Sequence, residues 1–219
     1  MNTPSMEDYL KAIYKVKVTG EVTAQDIARR IRVSAPAVSK MLKKLVHLKL
    51  VRIHPRTGIH LTPFGERTAL QTIRRHRLIE LYLVNELGYK WEEVHDEAER
   101  LEHYISPLLE ERIAQKLGNP EFDPHGDPIP DSAGVMPIVE EFPLDHVTMP
   151  SKIIITRVPD QDPELLRYLK KLQFIPGEEV EFIGREPFGG SFQYKMKNTS
   201  AHIPQRVAEQ VFGHVIEHQ

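Results

Sequence analysis

The 219-residue sequence contains no cysteine. Disulfides, thiolate zinc sites and thiol nucleophiles are therefore excluded at the outset. No run approaches the roughly 20 apolar residues needed to span a bilayer. The first residues, MNTPSMEDYLKAIY, lack the apolar core of a signal peptide. These absences lead to the expectation of a soluble, cytoplasmic protein with no membrane partner. Strong net charge is lacking too, the formal value being −2. That small total conceals an asymmetry. Residues 1–87 carry 16 Lys and Arg against 7 Asp and Glu, a balance of +9, and the rest carry 13 against 24, a balance of −11. A basic half joined to an acidic half fits a polyanion-binding module attached to a segment that collects cations.

Residues 5–18 place Tyr9, Leu10, Ile13, Tyr14 and Val16 at helical spacing, and Gly20 closes the segment. In TAQDIARRI, Thr23 followed three residues later by Asp26 has the form of a capping box. After the short break Arg32-Val33-Ser34 comes a second helix, with Ser34 as its cap, Pro36 in the first turn, and Val38, Met41, Leu42 and Leu45 as its apolar face. Two short helices joined so tightly predict a helix-turn-helix. LVRIH and IHLT around Pro55-Arg56-Thr57-Gly58 read as a hairpin, the wing of a winged helix. A long helix is expected from Pro63 to Leu87, with Gly88 as its stop. Another is expected from near Trp91 to Ile105, ended by Ser106-Pro107, which also caps a further helix to about Leu117. Residues 119–137, rich in Pro, Gly and Asp, read as an extended connection. From Ser151 the texture is that of strands, with one helical stretch at Pro163–Lys171, which suggests a small β-barrel.

The second helix of a helix-turn-helix meets base edges near its N-terminus. The outward positions there are Ser34, Pro36, Ala37, Ser39 and Lys40, followed by Lys43 and Lys44. Small residues permit close approach to bases, whereas the lysines, Arg52 and Arg56 suit phosphates. A basic face can also be merely solvated. The wing and the +9 balance together favour DNA.

The segment VHDEAERLEHYIS carries His95, Glu99, Glu102 and His103 at i, i+4, i+7 and i+8, on one side of a helix next to the apolar Val94, Ala98 and Leu101. On the preceding helix His76 and Glu80 form another i, i+4 pair. A solvated Glu/His face is one reading of such a stripe. Two helices with complementary sets beside an apolar seam favour a metal, since clustered carboxylates otherwise repel or titrate.

Through SMEDYLKAIY, TAQDIARRIRVSAPAVSKMLKKL, RRHRLIELYL, VHDEAERLEHYIS and GDPIP, the chain resembles the diphtheria-toxin-repressor family of iron- and manganese-dependent transcriptional regulators. Its C-terminal part resembles, through LQFIPGEEVEFI and PFGG, the small β-barrel domain of ferrous-iron-transport accessory (FeoA) proteins. The resemblance implies a mainly α protein with a small β part. It comprises a winged helix-turn-helix at 1–65, a helical metal-binding and dimerisation domain at 66–137, a linker at 138–150 and an FeoA-like barrel at 151–219. It further implies an activating site of Asp8, Glu99, Glu102 and His103, and a second site of His76, Glu80 and His95. Help from the barrel would come from Asp162 and Glu164 in the region Asp160–Glu164. Iron-type members carry sulfur ligands at the positions of Asp8 and Glu99. An all-oxygen-and-nitrogen set favours Mn²⁺, with Fe²⁺ as the alternative. Lys11 stands where some manganese-type members have a glutamate ligand, which speaks against a closely bridged metal pair; those members are also expected to lack the barrel.

The function expected is a metal-dependent repressor that controls manganese and iron homeostasis genes, acting as a homodimer on a palindromic operator. It is not an enzyme and has no small organic substrate. The alternatives are a metal-independent winged-helix regulator and a metal-dependent hydrolase using the same ligands.

Overall fold

A computed structural model describes residues 6–17, 20–187, 190–196 and 199–218. Ser5 and Val18 of the expected first helix, Lys197 of the FQYKMK run and Phe188 and Gly189 of the PFGG motif lie outside them. The chain divides into two compact units, the first made of residues 1–76, 102–105 and 130–136 and the second of 77–101, 106–129 and 137–219.

In the first unit, α1 (Met6–Lys17), α2 (Ala24–Ile31) and α3 (Ala35–His47) precede a hairpin of β1 (Val51–His54) and β2 (Gly58–Leu61), and α4 (Pro63–Leu87) begins there. Local chemistry explains the boundaries. Thr23 Oγ1 accepts from the Asp26 amide at 3.2 Å while Asp26 Oδ2 accepts from the Thr23 amide at 3.2 Å, which closes the capping box. Arg32 in the left-handed region (φ 54°) ends α2, and Ser34 Oγ accepts from the Ala37 amide at 3.4 Å to start α3. Leu10, Ile13, Ile27, Val38, Leu45 and Val51 from these elements form a nearly solvent-free core. Each such side chain contributes about 1.5–3 kcal/mol on burial. β1 and β2 pair antiparallel from Val51 opposite Leu61 to His54 opposite Gly58. The arrangement is a winged helix-turn-helix. Ser34, Pro36, Ser39, Lys40, Lys43, Lys44, Arg52 and Arg56 are exposed and Ala37 is half-buried.

The second unit holds the rest of α4, α5 (Val94–Leu101), α6 (Pro107–Lys116), and a six-stranded antiparallel sheet with α7 (Pro163–Lys171) and α8 (Gln205–Ala208). The strands are β3 (Phe142–Pro143), β4 (Ser151–Arg157), β5 (Glu179–Arg185), β6 (Phe192–Met196), β7 (Thr199–Ile203) and β8 (Phe212–His218), in spatial order β3-β8-β4-β5-β6-β7. The expected barrel is therefore a small SH3-like sheet with two edges, β3 and β7, rather than a closed one. Its core includes Ile153, Ile155, Leu169, Phe174, Phe182, Phe192, Tyr194 and Ile203. Part of the segment read as a linker belongs to this sheet. Phe142 and Pro143 pair with β8, and Leu144 is fully buried. An apolar run this short, interrupted by proline, has no period from which to be recognised.

Two further expectations need correction. α5 ends at Leu101, so Glu102 and His103 stand in a turn after the helix and not on its stripe. The side chain of Glu102 is fastened to Lys11 and His76, contacts that helical periodicity cannot reveal. Residues 119–129 are not a loose connection. The Asp123 carboxylate accepts from the amides of His125 (2.8 Å) and Asp127 (3.0 Å), and Arg77 donates to Asp127 Oδ1 at 3.0 Å and to the Pro128 carbonyl. Gly126, at φ +87°, lies so close to β4 that an added Cβ would sit 1.9 Å from the Thr156 carbonyl oxygen.

Gly126→Ala is therefore expected to lower unfolding stability by at least about 2 kcal/mol. Thr23→Ala, which removes only the cap, is expected to lower it by about 1 kcal/mol. Denaturant unfolding of both variants checks the contrast.

Candidate metal centre

In the first unit α1 presents Asp8 and the turn after α5 presents Glu102 and His103, with one ligand atom from each lying within 4.8 Å of the others. His103 Nε2 is 2.8 Å from Asp8 Oδ1 and 3.3 Å from Glu102 Oε1. The other ring nitrogen, Nδ1, lies 2.6 Å from Glu7 Oε2, and Glu7 Oε1 accepts from Arg75 at 3.1 Å. Glu7 thus orients the ring so that Nε2 faces the two carboxylates, as carboxylate partners do for metal-ligating histidines. Hydrogen bonding to Asp8, then to Glu7, pushes the His103 imidazole up to about 10 against the opposing effect of burial. The Nε2 proton must leave before that nitrogen can donate to a cation. Glu7 is held below its ordinary value, chiefly by the hydrogen bond to His103 and further by Arg75.

Glu102 has no solvent exposure. Its Oε1 accepts from Lys11 Nζ at 2.6 Å, and its Oε2 lies 2.6 Å from His76 Nδ1. Lys11 and His76 are themselves buried. His76 precedes Glu80 by one turn of α4.

The second unit has its own cluster. His95 Nδ1 is 3.2 Å from Glu80 Oε1 and 3.5 Å from Asp160 Oδ2. Glu99, one turn after His95 on α5, places Oε1 3.9 Å from His95 Nε2. Glu80, Asp123 and His125, all buried, also bring ligand atoms within 4.8 Å of one another. His125 Nε2 is 2.8 Å from the carbonyl oxygen of Trp91. A carbonyl only accepts, so Nε2 carries a proton, and Nδ1 lies on the side of Glu80 Oε2, 4.0 Å away. That nitrogen and Asp123 Oδ2 are buried without a hydrogen-bond partner among the described residues. Burial, followed by the charges of Asp127 and Glu80, pushes the Asp123 carboxyl well above its ordinary range. Asp123 Oδ2 is ion-paired with Arg77 Nε at 3.7 Å, and several carboxylates gathered in a dry site are costly unless cations join them. This donor set, oxygen and nitrogen without sulfur, fits a divalent metal.

Asp162 and Glu164, the candidates expected in the sheet domain, lie at the start of α7. Asp162 caps α7, its Oδ1 accepting from the amides of Glu164 (3.0 Å) and Leu165 (3.1 Å), and both Asp162 and Glu164 are exposed. The carboxylate that reaches His95 is Asp160. Asp123 and His125 escaped the sequence reading. Their signal was the Asp-x-His spacing inside a Pro- and Gly-rich segment, whose composition read as connection.

Three domain families match the chain. The iron-dependent repressor N-terminal DNA-binding domain matches residues 1–59, the iron-dependent repressor metal-binding and dimerisation domain 62–131, and the FeoA domain 142–214. The iron-dependent repressor IdeR of Mycobacterium tuberculosis is 32% identical over 197 residues, covering 84% of this chain and 85% of that protein. Among solved structures, a manganese-dependent transcriptional repressor in complex with manganese is 36% identical with a TM-score of 0.90, covering 97% of this chain and 100% of that one. ScaR with bound Cd²⁺ is 34% identical with a TM-score of 0.85, covering 97% and 100%. The manganese-bound structure matches almost the whole of this chain, its third domain included. The chain belongs to the iron-dependent repressor family, metal-dependent DNA-binding transcriptional repressors with a C-terminal FeoA-like domain.

Proposed function

We propose that this repressor is activated for operator binding by Mn²⁺, with Fe²⁺ as the alternative ion, through a first site of Asp8, Glu102 and His103. The observation that carries the reading is the convergence of Asp8, from the helix that opens the winged-helix segment, with Glu102 and His103. Glu99 is kept as a fourth ligand of that site on the family resemblance. A second site comprises Glu80, His95, Asp123, His125 and Asp160, with His76 included because it lies one turn from Glu80 on the same helix. The absence of sulfur favours the harder ion. Bound to the ordered form alone, the ion adds stability by mass action, about 2.7 kcal/mol at a hundredfold excess over Kd.

The chain's own residues define the rest. Asp8 ties α1 to the turn that carries Glu102 and His103, so the position of the winged helix depends on that cluster. Glu7 holds the His103 ring. Ser34, Pro36, Ala37 and Ser39 face base edges, and Lys40, Lys43 and Arg56 hold phosphates. The segments 1–65, 66–137 and 151–219 act as DNA-binding, metal-binding and sheet domains of a cytoplasmic homodimer, joined through 138–150. Its two recognition helices suit half-sites of a palindromic operator. Its role is regulation, not catalysis. One observation favours the metal-independent reading: Lys11 already neutralises Glu102 without an ion.

Mobility shift on operator DNA separates the two readings. Mn²⁺ is expected to raise affinity at least about tenfold, and Asp8→Ala or Glu102→Gln is expected to abolish that gain while the fold is kept. Equal affinity with and without Mn²⁺ would leave the metal-independent regulator. Metal counting tests the second site, where Asp123→Asn with His125→Ala is expected to remove one bound ion per chain and spare the other.

A further inference from the structure

The oxygen of Glu102 nearest His103 is the one that already holds a cation, and that cation belongs to the chain. Glu102 Oε1 accepts from Lys11 Nζ at 2.6 Å and faces His103 Nε2 at 3.3 Å. The side chains of Lys11 and Glu102 are 8% and 0% exposed. Lys11 follows Asp8 by three residues on α1, so helical pitch brings both to the same side of the cluster.

We propose that Lys11 is a resident counter-cation that competes with the divalent ion for Glu102 and so sets the metal concentration at which the first site fills. The proposal rests on the reading of Asp8, Glu102 and His103 as ligands. A carboxylate oxygen in a short bond to an ammonium group cannot also bind a divalent ion without drawing two like charges together where water screens them poorly. Either the ammonium withdraws or the ion binds against its field. Both make filling the site harder than it would be beside a neutral side chain.

Removing the charge separates this role from a structural one. Without Lys11, Glu102 is a fully buried carboxylate beside the imidazoles of His76 and His103 and the carboxylate of Asp8, and its demand for a cation rises. A lysine that merely props up the fold would, on removal, weaken the metal-free protein and its metal binding together. A competing lysine would weaken the first and strengthen the second.

The experiment is calorimetric titration of Mn²⁺ into the full chain and its variants, following the binding event that Glu102→Gln abolishes, with melting curves of metal-free and loaded protein. Lys11→Met is expected to tighten that event at least about tenfold, the lower end of what one charge at this range does to a carboxylate's equilibrium. It is also expected to lower the metal-free melting temperature and enlarge the metal-induced rise. Lys11→Arg, which keeps the charge, is expected to stay near the parent affinity. Lys11→Gln carries the same comparison if Lys11→Met does not fold without metal. Unchanged or weaker binding in the neutral variants overturns the role of Lys11 while leaving the site intact. A Mn²⁺ titration that Glu102→Gln does not alter overturns the assignment of the site itself, and the proposal with it.

Discussion

Glu102 is a carboxylate sealed from water, and much of the first unit is arranged to compensate it. Leaving such a group unpaired in a dry interior costs several kcal/mol. Its two oxygens are therefore met by Lys11 and His103 on one side and His76 on the other. Those partners come from α1, from the adjoining residue of the same turn and from α4, so one charge fixes three stretches of chain against each other. The requirement is electrostatic and not tied to a particular cation. An ammonium group, a protonated imidazole and a divalent ion would all answer it, and the exchange proposed for Lys11 depends on that interchangeability.

The second cluster follows a different logic. It gathers carboxylates and imidazoles at buried positions around Glu80. The tautomer of His125 is set from outside, by the Trp91 carbonyl. The loop that carries Asp123 and His125 is pinned by the hydrogen bonds of Arg77 and by the contact of Gly126 with β4. Donors held in place before an ion arrives lose little freedom on binding it. The first cluster is held by its own ammonium and imidazole partners, whereas the second is held by the backbone and side-chain bonds of the loop around it.

Much of the architecture was legible along the chain because it is written in local chemistry. The caps Thr23 and Ser34, the proline in the first turn of α3 and the turn before Gly58 each act within a few residues, and each boundary falls where that chemistry sets it. α4 runs from Pro63 to Leu87 for the same reason. What could not be read depends on contacts distant in sequence. The stripe from His95 to His103 has helical spacing, yet the helix stops at Leu101, and Glu102 is held by a residue 91 positions away. Asp123 and His125 lie in a stretch without period, where composition suggests slack and only side-chain bonds to the backbone reveal order. Asp160 was missed by two positions because Asp162 and Glu164 sit in the same short acidic run, and only the start of α7 shows that Asp162 is occupied as a cap.

The path of the chain between its two units carries a consequence for how they can be taken apart. The polypeptide leaves the first unit after His76, returns for residues 102–105, leaves again, returns for 130–136 and then departs for the last time, five passages in all. A single proteolytic nick anywhere in the described chain therefore cannot yield two self-contained fragments, because each piece would lack segments of its own unit or retain parts of the other. The returning segments include Glu102 and His103, which pair with Lys11, His76 and Asp8 of the first segment. A protein built this way resists modular separation even though its families of domains are recognisable one by one.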